Sequence, residues 1–112
     1  VSIGGTDIVS WTSTTITMTG DLKLSTAGNG LYVKEGSNAT MGVVTLVLGV
    51  AVVATTKVTA NSRIMLTVQL LGTVATPVAV AVTGRSAGTS FTITSANLTD
   101  TSVVAWIILE PG

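Results

Sequence analysis

The sequence predicts an all-β chain: a short-stranded, shaft-like segment over residues 1–36, then a β-sandwich or jelly-roll-like domain over residues 37–112. Three observations carry this. Thr, Val, Ser, Ala and Gly dominate; apolar side chains recur with period two; and Gly and Asn interrupt the alternation at short intervals. Branched Cβ atoms pack well on a pleated surface and lose χ1 freedom in a helix, so helix is the disfavoured reading.

In the first segment, Asp7 to Trp11, Thr14 to Met18, Leu22 to Leu24 and Leu31 to Lys34 read as strands. Ile16 and Met18 share one face against Thr15 and Thr17, and Leu22 and Leu24 alternate with Asp21 and Lys23. Turns fall at Gly20-Asp21 and at Ala27-Gly28-Asn29-Gly30, where positive φ is readily adopted. Strands this short form no independent core, because a lone hairpin is marginal in water. They gain stability by wrapping around copies of themselves, as in a fibrous shaft.

Six longer strands follow: Met41 to Val47, Gly49 to Thr55, Arg63 to Leu71, Val78 to Thr83, Thr89 to Ser95 and Ser102 to Leu109. The apolar run from Met41 to Ala54 is shorter than the roughly 20 residues of a spanning helix. It contains Gly42, Thr45 and Gly49, so it reads as two buried strands with a bend near Gly49, and no membrane insertion is expected. Ile64, Leu66, Val68 and Leu70 form one face of the third strand. The last strand is apolar on both faces, with Val103, Ala105, Ile107 and Leu109 on one side and Val104, Trp106 and Ile108 on the other. Two apolar faces require two layers, or one layer and a second subunit, and Val104, Trp106 and Ile108 are the candidate subunit interface.

Only 9% of residues are charged and the net charge is zero, which removes the electrostatic guard against association and points to an oligomer. The five basic residues are scattered and matched by five acids, so no nucleic-acid surface is expected. The chain has neither His nor Cys, which excludes most hydrolase mechanisms and the usual transition-metal ligands. A pair of carboxylates could still cleave polysaccharide. Asp7, Asp21, Glu35, Asp100 and Glu110 sit singly in turns or at strand ends, however, and the expectation is a non-enzyme without catalytic residue, cofactor or metal. Asn38-Ala39-Thr40 and Asn97-Leu98-Thr99 read as turns. Gly84 to Gly88 reads as a hairpin loop with Arg85 at its tip, which is favoured to pair with Asp100 or Glu110 and is a weaker candidate for recognition. Trp11 and Tyr32 are the remaining candidates for binding, as aromatics able to stack on a sugar.

The segments GDLKLS, GLYVKEG, VTANSRI and TGRSAGTSFTI, with VTANSRIMLT and GRSAGTSFTITSANLTDTSVVAWIILEP in particular, resemble the C-terminal regions of tailed-phage tail-fibre and tail-spike proteins. The resemblance runs from Gly20 to Gly112. It implies a homotrimeric β module on the virion surface, joined to other virion proteins and serving assembly, attachment to a host receptor, or both. The alternative is a capsid decoration protein that stabilises the shell. Starting at Val1 rather than Met, the chain reads as the end of something longer.

Overall fold

The computed structural model describes residues 14–112. The chain divides into two units, Val1–Leu31 and Tyr32–Gly112, and every strand among the described residues belongs to the second. Six strands form two three-stranded antiparallel sheets: β1 (Met41–Thr45), β2 (Val50–Ala54), β3 (Arg63–Leu70), β4 (Val80–Ser86), β5 (Ser90–Ser95) and β6 (Val103–Leu109). One sheet runs β1-β6-β3 and the other β2-β5-β4. The fold is a small all-β sandwich, as the strand pattern predicts.

The apolar run at Met41 splits into two strands because the chain reverses at Leu48-Gly49. Val47 and Val50 exchange backbone hydrogen bonds of 2.9 and 3.1 Å, and both corner residues have positive φ, 51° and 77°. That pair of signs is a type I′ turn, whose twist suits antiparallel strands. Gly49 has a second reason to be glycine, since a Cβ there would lie 2.5 Å from the Asn97 carbonyl oxygen. β1 then joins β6 and β2 joins β5, so this corner bridges the two sheets.

Ile64, Leu66 and Val68 of β3 pack against the core, but a register shift between Val68 and Leu70 turns Leu70 outward. Simple alternation places Leu70 with them, and the bulge is what defeats it. A similar shift lies between Val82 and Gly84 of β4. Gly84 and Arg85 therefore belong to the strand, paired with Thr92 and Phe91, and not to a five-residue loop. The loop shrinks to Ala87-Gly88-Thr89, closed by the Thr89 N–H donating to the Ser86 carbonyl, with Gly88 at φ 72°.

The core lies between the sheets. Phe91, Ile93 and Ala51 come from one, and Val104, Trp106 and Ile108 from the other, with Leu46 and Val58 from the connections. Phe91 and Trp106 meet edge to face, with centroids 5.3 Å apart and planes at 77°. That geometry adds about 1 kcal/mol to their area burial. Gly42 makes room for the indole, because a Cβ there would stand 2.8 Å from its Cζ2.

Residues 14–38 are exposed and contain no strand. The expected strands Thr14 to Met18, Leu22 to Leu24 and Leu31 to Lys34 are therefore not formed within the single chain, and Asp7 to Trp11 lies outside the described residues. A strand exists only through its ladder. Among residues 16–35 the backbone-to-backbone bonding is a turn closure, Asn29 N–H to Thr26 carbonyl at 3.2 Å.

Candidate functional site

The strand order gives the sandwich two ends. One end carries residues 38–40, the 55–62 and 87–89 connections and the tail after Leu109; the other carries 46–49, 71–79 and 96–102. Exposed charge collects at the first end. Lys57, Arg63, Arg85 and Glu110 all lie there, while the second end holds Asp100, which is buried.

At the charged end, Arg85 and Glu110 grip the same turn. The Glu110 carboxylate accepts hydrogen bonds from Ser62 Oγ at 2.5 Å and Thr59 Oγ1 at 3.0 Å. The Arg85 guanidinium donates to the Ser62 carbonyl at 2.8 Å. Arg85 therefore reaches Glu110 only through the 59–62 turn. Asp100 stands at the far end, where Arg85 has no part in its bonding. Because Arg85 extends from β4 and Glu110 follows β6, the shared turn fastens the two sheets together. The entering chain is tied down nearby: Thr55 Oγ1 donates to the Ala39 carbonyl, the Ile108 N–H to the Thr40 carbonyl, and the Thr56 N–H to Asn38 Oδ1.

At the other end Asp100 is almost wholly buried. Its carboxylate accepts from Ser95 Oγ at 2.7 Å, from the Ser102 N–H at 2.8 Å and from Ser102 Oγ at 2.5 Å. The two serine hydroxyls hold the carboxyl below its ordinary range, against the opposing effect of burial. The sequence reads Asp100 as a turn residue, which it is, but nothing in sequence marks the turn as folded inward. Asn97 caps the same loop, its Oδ1 accepting from the Thr99 N–H and hydroxyl.

Of the binding candidates, Tyr32 is 93% exposed and Trp11 lies outside the described residues. Val104, Trp106 and Ile108 point into the sandwich core of their own chain, which leaves the opposite face of β6 open to a neighbour. On that face Ile107 pairs with Met41 on one side and Met65 on the other, and the next row is Val43, Ala105 and Thr67. The small Ala105 leaves a groove of about 190 Å³ beside this row, lined by Met41, Met65, Thr67 and Ile107. Among the described residues no three Asp or Glu side chains converge.

No curated protein matches the chain. A family model does, over residues 38–109. The match begins at Asn38, whose side chain is bonded to the sandwich, and ends on the last residue of β6, so it covers the sandwich and more than half of the chain. On that match the chain belongs to the family described as the K1 capsule-specific polysaccharide lyase, C-terminal domain.

Proposed function

We propose that this chain is the non-catalytic C-terminal module of a phage tail-spike or tail-fibre protein: a homotrimer on the virion surface that serves assembly and host attachment. The observation that carries the reading is the match of the whole sandwich to a domain named as C-terminal in a capsule lyase. The bonding of the two acids of the sandwich supports a non-catalytic role, since a hydrolytic mechanism would need a pair of carboxyl groups free to act on substrate. Asp100 is committed to serine partners and Glu110 to the 59–62 turn.

Self-assembly is supported by the apolar side chains left uncovered. Ile16, Met18, Leu22, Leu24 and Leu31 are all about half exposed or more. Copies of the same segment offer each other both the missing ladder and the missing burial. Light scattering of the full chain in solution tests this. The expected mass is three times the 11.2 kDa of one chain, and a stable monomer overturns the assembly reading. Incubation with K1 capsular polysaccharide tests the rest: unchanged polymer length is expected, and shortening overturns the non-catalytic role.

A further inference from the structure

We propose that the outward face of the β1-β6-β3 sheet is a contact surface between copies of this chain, with the same face of the other copies, turned toward a common axis, as its occupant. The inference rests on the self-assembly reading above and names the surface involved.

The two sheets differ on their outward sides. The β2-β5-β4 sheet presents Ser90, Thr92 and Thr94 along its central strand, and the Thr94 hydroxyl is bonded to that of Thr83 at 2.6 Å. Val50 and Val52 are exposed on its edge strand, but water competes well for the hydroxyl row at its centre. The β1-β6-β3 sheet presents Val103, Ala105 and Ile107 along its central strand, flanked by Met41, Val43 and Met65. Its one charge, Arg63, sits at a corner with Nη1 turned back to the Asn61 carbonyl. An uncharged apolar face fits a partner that brings no charge to desolvate, and a second copy supplies such a face. Met41 and Met65, on either side of Ile107, provide adaptable walls at one end of the groove over Ala105, and a side chain from the neighbour can fill it.

Area decides how the face is used. Three strands of five, seven and eight residues cover at most roughly 24 by 14 Å, about 340 Å² in projection. A stable interface takes about 800 Å² per partner. The face therefore contributes to an assembly that residues 14–35 also hold, and does not act alone.

The chain has no cysteine, so a single introduced thiol reports on one place. Met65 and Val52 lie outward on edge strands of the two sheets and are similarly exposed in the single chain, 51% and 62%. In the assembled full chain, Met65→Cys is expected to react with a maleimide roughly tenfold or more slowly than Val52→Cys, since reaction requires access to the thiolate. The difference should vanish once dilution or mild denaturant yields monomers. Equal rates in the assembly, or slower reaction at Val52→Cys, overturn the proposal while leaving the assembly intact. A monomer by light scattering instead removes the reading beneath it. As a second check, Met65→Arg is expected to lower the assembled fraction while Val52→Arg does not. Equal effects of the two count against the proposal.

Discussion

Two stretches of this chain carry the same alternation and meet different fates. In β5, Phe91 and Ile93 alternate with Ser90, Thr92 and Thr94, and both apolar side chains are fully buried. Between residues 16 and 33, Ile16 and Met18, then Leu22 and Leu24, then Leu31 and Val33 alternate just as regularly, and all six are exposed. The difference is neighbours. β5 lies between β2 and β4 and faces Trp106 across the core, whereas the earlier stretch makes no ladder within the chain. Alternation therefore prescribes which side chains share a face. It does not say which molecule covers that face.

Substitution of one stretch and then the other breaks or sharpens this contrast. Phe91→Ala removes the largest fully buried side chain and its contact with Trp106. The expected cost is about 4 kcal/mol, a large part of the roughly 5–15 kcal/mol that holds a small domain together. Denaturant unfolding should show the midpoint collapse. The combined variant Ile16→Asp with Leu24→Asp should leave that midpoint in place and lower the mass seen by light scattering. A comparable loss of sandwich stability from both variants would erase the distinction.

Asp100 gives the next largest effect. Three hydrogen bonds converge on its buried carboxylate, and bonds to a charged group contribute about 1.5–3 kcal/mol each where an unpaired donor would otherwise remain. Asp100→Asn keeps the shape and loses the charge, with an expected cost of about 2 kcal/mol at neutral pH. The sign with pH follows from the direction of the shift. The folded chain holds this carboxyl below its ordinary value of 3.8. Its stabilisation is thus complete above the unfolded value and is lost as pH falls through the lower folded one. Thermal unfolding should drop below about pH 4 in the parent chain and drop less steeply in Asp100→Asn. Equal acid slopes would assign the acid sensitivity to other groups.

The sandwich was largely legible because its signals are local. The Thr and Val content, the period-two faces and the glycines at 49 and 88 place six strands and two of their turns. The bulges at Val68 to Leu70 and Val82 to Gly84 were not legible, since a bulge depends on what the partner strand does. The same limit hid which side of β6 faces the core. Val104, Trp106 and Ile108 are no more apolar in sequence than Val103, Ala105 and Ile107, and only packing against Phe91 and Ile93 chooses between them. The Arg85 and Glu110 grip on Thr59 and Ser62 joins residues up to 51 positions apart, beyond any local pattern.

Corners offer the smallest and most specific test of the contrast. In the exposed segment the positive-φ corners at 28 and 36 are glycines, which adopt φ of 92° and 139° without strain. The corner joining the two sheets instead places Leu48 at φ 51° with its side chain 70% exposed. A leucine there bears about 1 kcal/mol of backbone strain, and a type I′ turn prefers Asn followed by Gly. Leu48→Asn supplies that pair, because Gly49 already follows, and gives up little buried surface. The expected result is a gain of about 1 kcal/mol, read as a rise in Tm of roughly 4 °C or more. A fall in Tm would mean that the leucine side chain is covered in the molecule that unfolds. The corner would then join residues 14–35 as a place where apolar surface waits for another copy.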